Sequence, residues 1–331
     1  MANITIKDLA SYTNISKSTI SRALRNPETV SSEKLQVIHK AIGELGYIPN
    51  YFASNLKSNT NCNIGFIVND VQNPFFNKLI QSIEKTLEKE NYRLLISFSL
   101  PDQKSIDEKV NNVLFSPISG LMFSPDSGSE EMQKKLLAKG IYVLQLFTNV
   151  YGSFDSIVVN DFYGTYLATQ RLIHSGHTNI LLIGFNNLVF RERIAGYKQA
   201  YADFRIPLNE SNIFLLDNVE FIKDQISTKI LSAKPTAVIS IGDIVGINTV
   251  KGLRQLNLRI PEDISMIHYD DSTWADLLNI TTIGHPIDLL GRYTAEILIS
   301  GIQNSRKARN IHQKIDPIII ERNSVKNIAV S

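Results

Sequence analysis

The 331-residue sequence holds one cysteine, Cys62, which excludes an intramolecular disulfide framework and a zinc site built from several cysteines. No apolar run approaches the roughly 18 residues that cross a bilayer, so no membrane partner is expected. The opening MANITIKDLASYTNIS puts polar side chains where a secretory leader needs an apolar stretch, and a cytoplasmic location is expected. Enzyme motifs are missing too. No Gly-x-Gly-x-x-Gly follows the first apolar run, and neither a Gly-Lys-Ser/Thr phosphate loop nor a Gly-x-Ser-x-Gly elbow occurs. Of the six histidines (His39, His174, His177, His268, His285, His312), only His174 and His177 are close, and no third ligand stands beside them. Hydrogen bonding at helix ends is the expected role of the histidines. No catalytic residue, cofactor or metal is expected.

What is present divides unevenly. The composition is 43% hydrophobic and 20% charged with a net charge of +2, an ordinary globular balance. Residues 1–60 carry seven Lys/Arg against four Asp/Glu, a local +3 that leaves the remainder at −1. This head has short helical patterns and little apolar mass. From Asn63 onward, apolar runs such as Ile64–Val68, Leu94–Phe98, Gly120–Phe123, Tyr142–Phe147, Ala237–Ile241 and Ile264–Tyr269 alternate with amphipathic stretches such as Phe76–Lys89. That rhythm predicts parallel strands with helices on both faces. About ten strands divide more naturally between two sheets than into one. Between head and body, Asn50–Asn61 (NYFASNLKSNTN) reads either as a flexible tether or as a segment that orders on binding.

The strongest local signal is Ile4–Leu24. Thr5 is placed to cap a first helix through Asp8, Leu9, Ala10 and Tyr12; Asn14 and Ser16 interrupt it, and Ser16 caps a second helix, Lys17–Leu24. Ile20 and Leu24 face inward, with Lys17, Ser18, Ser21 and Arg22 outward. A third helix, Ser32–Leu45, ends at Gly46. This is a helix-turn-helix, whose second helix enters the major groove at its amino end. Lys17 or Arg22 then suits guanine O6 and N7, and Ser18 either kind of base edge. Thr5, Thr19, Asn26 and Ser31 suit phosphate oxygens. The alternative is that Lys17 and Arg22 are only solvated helix charges.

The string TIKDLASYTNISKSTISRALRNPETVSSEKLQVIHKAIGELGYIPN resembles the DNA-binding head of the lactose-repressor (LacI/GalR) family of bacterial transcription regulators. IGFIVNDVQNPFF, GTYLATQRLIHSGHTNILLIG, PTAVISIGD and IPEDISMIHYDDS agree in order, so the resemblance spans nearly the whole chain. It implies a small all-α helix-turn-helix head (1–49), a hinge helix (50–60) and a periplasmic-binding-protein-like α/β body (61–331). The body would consist of two doubly wound parallel-sheet lobes, about 61–160 with 291–320 and about 161–290 with 321–331. The resemblance also implies DNA contacts by Ser16, Lys17, Ser18, Thr19, Ser21 and Arg22. The hinge would add Asn50, Ala53, Leu56 and Lys57, with Leu56 wedged into the minor groove at a central C·G–G·C step. Where the family has Ala-Arg-x-Leu, this chain has Ala53-Ser54-Asn55-Leu56, which shifts any hinge charge to Lys57.

Small molecules bind such bodies at the carboxyl ends of the strands. Asp70, Phe75, Phe76, Phe147, Asp161, Asp243, Asp270 and Trp274 follow strand-like runs or open the next helix, and Arg193 joins them by resemblance. Phe75 and Phe76 suit a sugar's C–H face, with Phe76 equally readable as core. Arg193, in RERIAGY, resembles the family's effector arginine, the alternative being a surface helix charge. Asp270 resembles its hydroxyl-binding carboxylate. Trp274 stacks on ligand or packs as core. Phe147-Thr148 and Asn160-Asp161 stand where the family usually has Asp and Asp-Asn, which favours a sugar acid held by Arg193 over a neutral hexose. Asp-Asp-Ser-Thr-Trp at 270–274 further resembles the branch regulating keto-deoxy sugar-acid breakdown.

The expected protein is a homodimeric repressor of carbohydrate or sugar-acid catabolic genes. It binds a palindromic operator in double-stranded DNA and is released by a small-molecule effector. A cytoplasmic sugar-binding protein and a corepressor-dependent regulator stay open as alternatives. No leucine heptad follows Ile328 to suggest a tetramer.

Overall fold

The computed structural model describes residues 4–25, 27–47, 62–68, 74–98, 106–124, 130–186, 188–218, 220–304 and 309–329. Asn26, Asn50, Ala53, Leu56, Lys57 and Asp70 lie outside the described residues. The chain forms two compact units, Met1–Asn61 and Cys62–Ser331.

In the head, helices α1 (Ile6–Thr13), α2 (Lys17–Arg25) and α3 (Ser32–Leu45) surround a core of Leu9, Ile20, Ala23, Ile38, Ala41 and Tyr47. Local chemistry sets each helix end. The Thr5 backbone N–H donates to Asp8 Oδ2 at 2.7 Å and the Asp8 N–H to Thr5 Oγ1 at 3.4 Å, a capping box that satisfies groups the first turn leaves open. These bonds hold the Asp8 carboxyl below the usual carboxylate range. Asn14 stops α1 in the left-handed region at φ 54°, and Gly46 stops α3 the same way. The inward stripe of α2 is Ile20 with Ala23, while Leu24 is only half-buried.

The body runs β1 (Asn63–Val68), α4 (Pro74–Lys89), β2 (Arg93–Phe98), α5 (Ile106–Val113), β3 (Gly120–Phe123), α6 (Glu130–Ala138), β4 (Tyr142–Leu146) and β5 (Ser156–Val159). Next come α7 (Asp161–His174), β6 (Ile180–Phe185), α8 (Leu188–Asp203), β7 (Ile213–Leu216), α9 (Ile222–Ala233), β8 (Ala237–Ile241), α10 (Asp243–Gln255), β9 (Ser265–Tyr269), α11 (Thr273–Leu277) and β10 (Thr281–Gly284). The chain ends with α12 (Ile287–Gln303), β11 (His312–Ile315) and β12 (Ile318–Ile320). One sheet has the order β11-β5-β4-β3-β1-β2 and is parallel throughout; the other has the order β12-β10-β9-β8-β6-β7.

Three segments cross between the lobes: β5 to α7, β10 to α12, and β11 to β12. Asn160 Nδ2 donates to Asp316 Oδ1 at 2.7 Å and the Asn160 N–H to the Ile315 carbonyl at 2.8 Å, joining two of the crossings. The sequence-based division is corrected at the last one. Residues 318–320 belong to the second sheet, as an antiparallel edge on β10 that pairs Ile283 with Ile319. The run reads as ordinary strand, and only its partner reveals the lobe.

The apolar runs of the inner strands are buried as expected for strands covered on both faces, but Leu94–Phe98 is not: β2 is the edge of its sheet, and Ile96 and Phe98 are exposed. Ile64, Phe66, Met122, Tyr142 and Leu144 form a core with α4 and α12. Ile180, Leu182, Ile239 and Ile267 do the same with α7 and α8.

Candidate DNA-reading helix and effector cleft

The Thr19 N–H donates to Ser16 Oγ at 3.2 Å, so Ser16 caps α2. The Ser16 hydroxyl also lies 2.9 Å from both Ser18 Oγ and Thr19 Oγ1. Thr5, Ser16, Lys17, Ser18, Arg22 and Ser31 are exposed, while Thr19 and Ser21 are half-buried. Two of these placements restrict the expected roles. The Thr19 hydroxyl is tied to the cap, and the Thr5 hydroxyl donates to Asp8 at 2.6 Å. Lys17, Ser18, Ser21 and Arg22 share one face by their three- and four-residue spacing. No acid sits in the first turn of α2, so its positive dipole end is uncancelled.

In the body, first-lobe aromatics and second-lobe charges meet at the carboxyl ends of the strands. Phe75, Phe76 and Phe147 form an edge-to-face triangle with centroids 5.4–5.7 Å apart. All three are partly buried against the first-lobe core. Phe147 falls outside β4, against expectation. It has φ 64°, and the Thr148 N–H closes onto the Leu146 carbonyl at 2.7 Å, a three-residue turn rarely adopted by a bulky residue. Asp270 is at φ 92°. Strained backbone at two cleft residues, of order 1–3 kcal/mol each, is characteristic of binding sites.

Arg193 is not the surface charge it could have been. Its Nε donates to Asp161 Oδ1 at 2.8 Å, its guanidinium lies 4.0 Å from the Tyr269 ring centroid, and Tyr269 Oη donates to the same Asp161 oxygen at 2.8 Å. Burial opposes its charge, but Asp161, backed by Tyr269 and Asp270, outweighs burial and raises the guanidinium above its usual range. Burial and Asp161 push the Tyr269 phenol well up. Asp161 is therefore matched internally rather than free for hydroxyls.

Asp243 follows β8, beside β6 where the strand order reverses, the position at which open α/β sheets bind ligands. It accepts from Trp274 Nε1 at 2.8 Å and from the Ser272 hydroxyl, with His268 Nε2 at 3.4 Å. Burial would raise its carboxyl, but these bonds outweigh that and hold it below the usual range. Trp274 packs 4.6 Å from His268 and on the second-lobe core.

Asp270 Oδ1 lies 2.9 Å from His285 Nε2, and the imidazole meets the Phe75 ring at 5.1 Å. A cavity of about 740 Å³ opens there. One wall is α4, with Phe75, Lys78, Gln81, Ser82 and Lys85; the other is Asp270–Ser272, His285–Leu289 and Ile320. Of the expected effector residues, Phe75 and Asp270 line it. Phe76, Phe147, Asp161 and Arg193 connect to it through ring and hydrogen-bond contacts.

The helix-end role expected of the histidines holds for His177, bonded to Thr236 and the Lys326 carbonyl, but not for His268 or His285. His268 is buried beneath Asp243 and Trp274, and His285 lines the cavity and was missed. It directly follows the short run TTIG, so the rule that pointed to Asp270 could have found it. Among the described residues no three His, Cys, Asp or Glu side chains are grouped to hold a metal.

Gly164 shapes the Arg193 cluster. A Cβ there would lie 2.4 Å from Tyr269 Oη. Gly164→Ala is therefore expected to push the phenol off Asp161 and cost about 1–3 kcal/mol. Urea unfolding of the full chain measures this, and an unchanged midpoint would mean α7 yields freely.

Residues 5–50 match the model for bacterial regulatory proteins of the lacI family, and residues 169–325 match a periplasmic binding protein-like domain. The ribose operon repressor of Haemophilus influenzae is 30% identical over 310 residues, covering 91% of this chain and 92% of that protein. The transcriptional repressor PurR of Vibrio parahaemolyticus is 28% identical over 335 residues, covering 98% and 99%. The Lac repressor dimer bound to operator and the anti-inducer ONPF superposes with a TM-score of 0.80 at 22% identity, over 98% of this chain and all of that one, a likeness of fold. A helix-turn-helix with an exposed cationic face, a two-lobed body with a polar cleft, and relatives that are repressors along their whole length lead to one conclusion: the chain belongs to the lacI family of bacterial regulatory proteins and is a DNA-binding transcriptional repressor with a ligand-binding domain.

Proposed function

We propose that the protein works as a homodimer, represses carbohydrate or sugar-acid catabolic genes from a near-palindromic operator, and leaves it when an effector closes the cleft. The carrying observation is the cleft itself: carboxylates, an arginine and three phenylalanines converge from both lobes at strand ends. Carboxylates accept paired sugar hydroxyls and aromatic rings cover C–H faces. The ribose operon repressor among the relatives supports a carbohydrate, and the operator-bound Lac repressor dimer supports two heads on one DNA site. A single recognition helix reads too few bases for genomic specificity. Exposed Phe98 and Phe115 on one lobe and Leu277 on the other are apolar surface that a second copy would cover.

In this reading Lys17, Ser18 and Arg22 read bases, and Ser16, Asn26 and Ser31 position the head on phosphates. Asn50, Ala53, Leu56 and Lys57 form the hinge contact. Ligand closure moves the lobes and biases the order of the hinge, and operator binding must alter effector affinity by the same factor.

The test is selection of bound duplexes from a random pool by the full chain and by Lys17→Ala/Arg22→Ala. The parent is expected to enrich an inverted repeat and the variant to lose it; enrichment of the same repeat by both would remove α2 as the reader. With that repeat in hand, Asp270→Ala is expected to bind it normally yet ignore effector. A fully responsive Asp270→Ala would exclude Asp270 from the pocket, and an effector that tightens binding would mark it as a corepressor.

A further inference from the structure

We propose that the effector is an uncharged saccharide of at least two rings, the second of which lies along α4 against Gln81 and Lys85. This rests on the inter-lobe cavity being the effector site, and adds the ligand's length, its lack of charge and the seat of its far end.

The cavity follows one face of α4 from Phe75 through Lys78 and Ser82 to Lys85. At about 1.5 Å per residue, that stretch is about 15 Å long. Its floor is closed where α4 meets α12. The Ser82 hydroxyl donates to the Asp288 carbonyl at 3.3 Å, and Gly291 leaves no room for a Cβ beside that hydroxyl. The volume of about 740 Å³ lies in the upper part of the range that encloses drug-sized ligands, about 300–1,000 Å³. Phe75 meets the His285 imidazole at 5.1 Å, which places a first ring beside Asp270. Gln81 and Lys85 stand about two and three turns further along α4, beyond the reach of that ring. A second ring meets them.

The polar groups of the lining set the charge. Asp270, Asp271 and Asp288 are its three carboxylates. Asp270 Oδ1 faces His285 Nε2, and Asp271 Oδ1 accepts from Arg322 at 2.9 Å and from Thr282 at 2.8 Å. Each is thus fixed through one oxygen, and Oδ2 of each has no partner among the described residues. Asp288 adds an exposed carboxylate from the first turn of α12. Three carboxylates repel an acid, and Arg193, which could have held one, is already taken by Asp161.

The donors are the Gln81 amide and the ammonium groups of Lys78 and Lys85, neither of which forms an ion pair among the described residues. They face an amine as unfavourably as the carboxylates face an acid. A hydroxyl both donates and accepts, so a ligand covered with hydroxyls uses both sets. Phe75, Ile287, Leu289 and Ile320 offer apolar surface to the C–H faces of the rings.

The experiment is calorimetric titration of the full chain with matched sugars: glucose against maltose and cellobiose, and galactose against lactose and melibiose. The aldonic acid of the preferred disaccharide then tests the charge. At least one disaccharide is expected to bind about tenfold more tightly than its component rings, and its acid to bind more weakly than the neutral form. Gln81→Ala/Lys85→Ala should bring that disaccharide down to the affinity of a single ring, while melting like the parent because both side chains are exposed. Phe75→Ala should weaken disaccharide and monosaccharide alike. A monosaccharide bound as tightly as the disaccharides that contain it overturns the proposal, and so does a double variant that keeps the full gain. An acid bound more tightly than its neutral disaccharide overturns it too. In each of these cases sugar still binds and the cleft stands as the effector site. Should none of these sugars bind, the proposal and the carbohydrate reading fall together.

Discussion

Ile20→Asp is expected to abolish specific operator binding while leaving effector binding intact. Ile20 is fully buried in a head core that, among the described residues, has six buried side chains drawn from α1–α3 and Tyr47. A carboxylate placed there has no cation to meet, and so small a core has no reserve to offset its desolvation. The recognition face then loses its scaffold, and affinity falls toward the non-specific level, about 10³–10⁷-fold below the specific one. The body, with its own four apolar cores, is not touched. Anisotropy on the selected repeat and fluorescence of Trp274, the one tryptophan, read the two halves separately. Specific binding by Ile20→Asp would show that the head folds on its DNA regardless of this core.

Arg193→Ala is expected to cost the body about 3–5 kcal/mol, because it removes one partner of a buried ion pair and leaves the other. Asp161 is 7% exposed and accepts from Arg193 and from Tyr269 at the same oxygen. With the cation gone, only the phenol faces the carboxylate. Urea unfolding measures the loss, and Arg193→Ala/Asp161→Asn should recover much of it by removing the stranded charge. Should the single variant lose less than about 1 kcal/mol, water reaches Asp161 and the pair is not sealed.

Local signals made the head legible. Thr5 with Asp8, Ser16 before Lys17 and Gly46 after Leu45 each mark a helix end through chemistry within four residues. The alternation of apolar runs likewise predicted two largely parallel sheets, because inner strands buried on both faces leave little room for polar positions. What the sequence could not reveal was partnership. Arg193 and Asp161 stand 32 residues apart, Trp274 and Asp243 stand 31, and His285 and Asp270 stand 15, all brought together by strand order. The six histidines looked alike, yet His177 ties loops together while His285 lines the cavity with its Nε2 on Asp270. Phe147 read as the last residue of a strand because nothing in its neighbours forecasts φ 64°. The short β12 likewise gave no hint of which sheet would take its edge.

The three crossing segments, two of them laced together at Asn160, Asp316 and Ile315, have a mechanical consequence. A single tether would let the lobes twist, slide and splay independently. Three connections between the same two lobes oppose twist and slide, as a strap hinge does, and favour bending. Any effector that pulls α4 toward His285 therefore does so with leverage. A displacement beside the hinge line grows toward the far rim of the lobe, along the direction that bending allows.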